Sequence, residues 1–327
     1  MYPNINAGIG AKMAEALFSQ AMSANATTGR VFIVAKAALA NISEITAMYG
    51  NYYPDGTAVI YSSVKLALAS CVAARGDLIL VAPGHTETIA DATTLALNVS
   101  GVTIAGIGTG ALRPTFTFTT AITANIPVSA ANVTVRNCVF VANFLDITAC
   151  FTTTTAPEFK VLNCEFRDTS SVLNFLTLIT TTITVNADGL TFNGNRCKIV
   201  GITAATTPIT IVGTIDRLTI NDNFITKAVL NNTACVLYSA ALVVTNLEMA
   251  RNRVFSNNTD SATGGFLIVT SSTTSSGMVY DNYVKGLDIA AAVMITGTGS
   301  KLGEFNNLYT GDVDTSGYVM PAIGSTA

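Results

Sequence analysis

A corner written in asparagine recurs along this chain: Asn137 in VTVRNCVF, Asn163 in FKVLNCEF, Asn195 in LTFNGNRC, Asn223 in LTINDNFI, Asn252 in LEMARNRVF, Asn282 in MVYDNYV and Asn307 in GEFNNLY. Successive corners lie 26, 32, 28, 29, 30 and 25 residues apart, a mean of about 28 that falls in the range of stacked repeats. In the copy at 218–225, Leu218 and Ile220 share one face of a strand, Asn221, Asp222 and Asn223 make the turn, and Phe224 and Ile225 resume the apolar run. Such a unit cannot stand alone. Ordering each residue costs about 1–2 kcal/mol of backbone entropy, and a buried Val, Leu or Phe returns about 1.5–3 kcal/mol. The units must therefore stack, and the chain is expected to be a rod of about eight coils, on the order of 40 Å long at ~4.8 Å per strand. Asn suits the corner because it tolerates the left-handed backbone, and a stacked amide can donate in one direction along the rod and accept in the other.

Composition agrees with a β-rich body that is polar without being charged. Half of the 327 residues are hydrophobic and only 11% are charged, against an average near 25%. A net charge of −3 gives no overall basic field, so neither nucleic acid nor an anionic membrane is an expected partner. The uncharged span 228–247 is interrupted by Asn231, Asn232, Thr233 and Ser239 and stays in phase with the repeat, so it is read as coil and not as a membrane helix. Six cysteines without a C-x-x-C pair, together with a single His, exclude the zinc spacings, and no cofactor is expected. Cys138 and Cys164 each follow a corner Asn and are expected to stack in the core. The first residues lack the basic and apolar regions of an export signal, which points to assembly in a cytoplasm.

Four segments follow in order. Residues 1–28 form an arm with a short amphipathic helix carrying Met13, Leu17 and Phe18, which either caps the rod or docks on another protein. Residues 29–100 form a cap and first coil: a strand in GRVFIVA (29–35), a Pro-Gly turn at Pro54–Gly56, then a helix capped by Ser62 or Ser63. That helix has Val64, Leu68, Cys71 and Val72 on its apolar face and Gly76 at its end. The apolar strand Leu78 to Ala82 is expected to be covered on both faces. Residues 101–310 are the coils, and 311–327 a tail or cap.

The succession of helix, Gly76-Asp77, apolar strand, Pro83-Gly84 and GVTIAGIG (101–108) resembles the first coil of right-handed, single-stranded parallel β-helix proteins, an all-β fold. The wording from Ala74-Arg75-Gly76-Asp77 through Val81-Ala82-Pro83-Gly84-His85-Thr86-Glu87-Thr88 resembles a group of tailed-phage and marine viral virion proteins. That resemblance implies a structural virion protein, assembled in the host bacterial cytoplasm as a homotrimer that contacts the major capsid protein or other virion proteins. Capsid-surface decoration is the favoured role. The alternative is a tailspike or tail fibre that binds, and in some cases cleaves, host surface polysaccharide; it requires a carboxylate pair or an aromatic row along one face of the rod.

Little in the sequence points to catalysis. A glycoside hydrolase needs two carboxylates facing one groove, the acid member with a raised pKa, and the nearest candidates are Asp222 and Asp281, two coils apart. Asn258-Thr259-Asp260 matches one triplet of the polygalacturonase-like enzymes, but their remaining motifs do not follow it. His85 is read as a solvated turn residue, and Arg75-Gly76-Asp77 as a helix-to-strand junction and not an adhesion triplet. The protein is therefore expected to be no enzyme.

Overall fold

The computed structural model describes residues 29–36, 42–182, 186–201, 207–227, 236–239, 243–256, 268–270, 275–287, 295–296, 301–311 and 320–321. The arm with Met13, Leu17 and Phe18, the triplet 258–260 and most of the tail lie outside them.

Each coil contributes one strand to each of three parallel sheets. In the coil at 191–211 the first-sheet strand is Thr191–Asn193, the second-sheet strand Arg196–Ile199 and the third-sheet strand Thr207–Ile211. Among the described residues the sheets hold eleven, ten and seven strands, all parallel except Met320–Pro321, which ends the second sheet antiparallel to Leu308–Gly311, and a further two-stranded pair joins Ile215–Asp216 to Val244–Thr245. This gives a parallel β-helix of seven complete coils with a partial coil at either end, one fewer than the period suggests. Register is continuous: Val161 pairs with Phe192, Phe192 with Ile220 and Ile220 with Met249. A one-residue slip would turn these side chains out of the core.

Two sharp corners per coil set this geometry. Before the first sheet the left-handed residues are Asn132, Glu158, Gly189, Arg217 and Asn246; after it they are Asn137, Asn163, Gly194, Asp222, Arg251, Asp281 and Asn306. Asn, Asp and Gly pay least for that backbone. The arginines are held there by carboxylates of earlier coils, Arg251 by Asp222 and Arg217 by Glu158. At Gly106 a side chain is excluded outright, since a Cβ would meet the carbonyl oxygen of Asn137 at 2.2 Å.

The core runs the length of the rod. Phe116, Phe140 and Phe166 stack through successive second-sheet strands at 5.4 and 5.3 Å, and Phe192 meets Phe166 across the interior at 5.7 Å. At the N-terminal end the strand Leu78–Val81 is buried along its whole length. Ile79 and Val81 face the core, while Leu78 and Leu80 join an outer cluster around Ile45. Ile45 belongs to helix α1 (Ile42–Tyr49), which has no counterpart among the expectations from sequence.

Helix α2 (Val64–Leu68) is shorter than expected. Ser63 caps it and Val64, Ala67 and Leu68 are buried, but Cys71 and Val72 lie beyond its end and Val72 is 50% exposed. The cause is Asp77. Its wholly buried carboxylate accepts from the Val72 and Arg30 amides at 2.8 Å each and pairs with Arg75 at 2.6 and 2.7 Å, drawing the chain off the helix axis. Burial pushes the Asp77 carboxyl up, but Arg75 and the two amides outweigh it and hold the group below its ordinary value. An Asp so enclosed is not presented for adhesion.

Candidate functional site

The corner residues divide into two sets that the sequence does not distinguish. Asn195, Asn223, Asn252, Asn282 and Asn307 are buried and form a continuous amide ladder. The Asn195 Oδ1 accepts the Cys164 amide (2.8 Å), and the Asn223, Asn252, Asn282 and Asn307 Oδ1 atoms accept the amides of Asn195, Asn223, Asn252 and Asn282 at 2.8–3.1 Å. Each Nδ2 donates to a carbonyl of the preceding coil: Val161, Phe192, Ile220, Met249 and Val279 in turn. Asn137 and Asn163 are not members. They occupy the left-handed position one residue earlier, at φ 54° and 53°, and the inward places in their coils belong to Cys138 and Cys164. The pairing of Glu165 with Arg196 sets Cys164 level with Asn195. The ladder side chains are interior scaffolding, at most 3% exposed.

His85 is also not where the sequence suggested. The Pro-Gly turn carries it inward, where it is fully buried with Nε2 2.8 Å from Glu87 Oε1. The same oxygen accepts the Val64 amide at 2.7 Å. Glu87 faces inward below Phe116 in the column that Phe140 and Phe166 continue, so the pair plugs the end of the core.

The carboxylates weighed for catalysis sit on the outer corner. Arg251 lies between Asp222 and Asp281 and grips Asp222 at 2.7 and 2.8 Å, while Asn306 donates to Asp281 at 2.5 Å. The Arg251 guanidinium holds the Asp222 carboxyl below the usual range, which makes it a fixed anion and a poor proton donor. Burial pushes Asp168 up to about 6, against the Phe175, Val200 and Gly201 amides that its oxygens accept. It faces the interior at 5% exposure, out of reach of a polymer. Among the described residues no three His, Cys, Asp or Glu side chains converge as metal ligands.

The outer face of the second sheet has the features of a binding surface. Its strands alternate inward and outward residues, and register stacks the outward ones in two columns. One column reads Glu165, Arg196, Phe224, Arg253, Tyr283 and Leu308; the other reads Arg167, Lys198, Thr226, Phe255 and Lys285. Five cations thus share this face with one carboxylate, Glu165. Arg167 (2.7 Å) and Arg113 (3.3 Å) pair with it. Phe224, Phe255 and Tyr283 form a half-buried diagonal row with centroids 5.3 and 5.8 Å apart, and Arg196 lies over Phe224 at 5.3 Å. Beside them a shallow cleft of about 550 Å³ is lined by Asp222, Asn223, Phe224, Arg251, Arg253, Asp281 and Tyr283. Aromatic faces, cations and carboxylate acceptors side by side can stack sugar rings, neutralise anions and take hydroxyl protons. Net charge conceals this face; pairing each residue in LTINDNFITK with ARNRVFS and DNYVK, once the corner is fixed, would have exposed it.

No family model matches the sequence, and no curated protein matches it. Two solved structures are similar: a rhamnogalacturonan lyase, at 12% identity over 85% of this chain and 87% of that chain with a TM-score of 0.40, and the pectate lyase Pel9A, at 14% identity over 93% and 83% with a TM-score of 0.32.

Proposed function

We propose that the protein is a rigid rod that binds surface polysaccharide along the outer face of its second sheet without cleaving it. The observation that carries this reading is the diagonal Phe224, Phe255 and Tyr283 set among Arg196, Lys198, Arg253 and Lys285. Apolar rings half-exposed among cations are costly surface for an inert wall and ordinary surface for a sugar site. The absence of cleavage is argued from Asp222, which Arg251 keeps ionised, and from Asp168, which is sealed inside. The resemblance at 74–88 supports a place on a tailed-phage virion. We assign the rod to the tail or a fibre, where a polysaccharide-binding face would meet the host surface. Trimeric assembly belongs to the same proposal, and the mass in solution tests it.

Retention of purified protein on immobilised host surface polysaccharide, with no new reducing or unsaturated ends released, is the expected result. Released ends would overturn the non-cleaving part, and no retention the binding part. Antibody labelling of intact particles tests the location: label at the tail is expected, and label over the capsid would restore the decoration role.

A further inference from the structure

The first column of the binding face has an order of its own. From Arg196 it runs cation, aromatic, cation, aromatic: Arg196, Phe224, Arg253, Tyr283, one residue per strand. The two arginines are therefore about 10 Å apart, two strand steps, which is close to the length of a disaccharide. The ring of Phe224 lies between them and that of Tyr283 one step beyond. In the second column Lys198 and Lys285 flank Thr226 and Phe255. Among the described residues Lys198, Arg253 and Lys285 form no ion pair. Asp222 and Asp281 border the same column through the shared cleft.

Resting on the binding reading above, we infer that the ligand is an acidic polysaccharide in which charged and uncharged sugars alternate, laid along the rod axis. Each arginine takes one carboxylate of the polymer, Arg196 leaving the Phe224 ring to do so, and the uncharged sugar between them stacks on Phe224. The bordering aspartates accept sugar hydroxyls. They also favour the polysaccharide over DNA, whose backbone offers no hydroxyl donors. The strand between the two arginines carries Phe224 and Thr226 outward and no cation, which fits a polymer with charge on every second ring better than one charged on each.

Full-length protein titrated with hyaluronan, alginate, dextran and single-stranded poly-dT separates these claims. Hyaluronan is expected to bind most tightly and to weaken as salt is raised, with dextran and poly-dT at background. The double variant Arg253→Gln, Lys285→Gln should lose about tenfold in hyaluronan affinity. The control Lys160→Gln, Lys301→Gln removes the same charge from the first sheet and should lose none. Equal binding of dextran and hyaluronan would overturn the inference and leave the binding reading intact. Tighter binding of alginate would overturn the alternation, and of poly-dT the ligand class. Retention of none of the four, with retention on host polysaccharide, would overturn the inference alone; loss of that retention as well would overturn the binding reading. Equal losses in the two double variants, both with the wild-type thermal transition, would remove the assignment to this face.

Discussion

The two halves of the rod solve one structural problem with different chemistry. In the N-terminal coils the second sheet turns its rings inward, Phe116, Phe140 and Phe166, and thiols fill the corner at Cys138 and Cys164. In the C-terminal coils the inward residues of that sheet are Ile225, Val254 and Val284, amides fill the corner, and the rings of Phe224, Phe255 and Tyr283 face out. An interior held by an amide ladder leaves the aromatic residues free for the surface. The candidate site is built where the ladder runs, and the thiol half is the better-filled hydrophobic base. Even the thiols follow the ladder's plan: the Cys164 Sγ points at the Val135 carbonyl at 3.7 Å, the place an Nδ2 would take.

The largest expected effect is in the amide half. Asn252→Ala strips partners from the Asn223 amide, the Ile220 carbonyl and the side chains of Asn223 and Asn282, all buried. At about 1–3 kcal/mol for each buried group left unpaired, partly relieved by relaxation, the loss should be about 5 kcal/mol in denaturant unfolding. Phe140→Ala in the thiol half should cost about 3–5 kcal/mol by opening a cavity between Phe116, Phe151 and Phe166. The outward Phe255→Ala should cost under about 1 kcal/mol and weaken polysaccharide binding instead. Were Phe255→Ala to destabilise as much as Phe140→Ala, the division of the aromatic residues between core and surface would be wrong.

How far the sequence discloses this division depends on which residue is asked. The period, the strands at 31–34 and 78–81 and the existence of a left-handed corner can be read from spacing and residue type alone, because Asn and a period-2 apolar pattern have few other uses. The identity of the ladder residue at 137–138 and 163–164 cannot, because Asn is acceptable at both corner positions and Cys is an equally good buried residue. Once the structure shows which strand residues face inward, counting three residues on resolves it: Val135 leads to Cys138 and Val161 to Cys164, as Phe192 leads to Asn195 and Ile220 to Asn223. The burial of His85 and the premature end of helix α2 depend on Glu87 and Asp77 arriving from further along the chain, which local pattern does not report. The cationic face was hidden for a related reason: formal charge sums over the molecule, and register distributes it.

Acid gives a third test, since the ladder's amides do not titrate and Asp168 in the thiol half does. Its folded pKa of about 6 lies above the ordinary value of 3.8. The protonated form therefore adds stability that is complete below about pH 4 and lost as the pH rises through 6, on the order of 2–3 kcal/mol. The Asp168 carboxyl resonance should titrate with a midpoint near 6 while the melting temperature falls across the same interval; a midpoint near 4 would show the three amides outweighing burial. The smallest effect is expected at the junction of the halves. Cys164→Asn extends the ladder by one rung and should change stability by no more than about 1 kcal/mol, whereas Asn223→Cys should cost about 2 kcal/mol in the same assay.

A structure of the protein with a bound hyaluronan oligosaccharide addresses the functional claim most directly. The oligosaccharide should lie along the second sheet, with carboxylates at Arg196 and Arg253 and an uncharged ring over Phe224. The third sheet presents the uncharged row Pro127, Thr152, Thr180 and Thr210 outward. An oligosaccharide seated there, with the second sheet bare, would contradict the account.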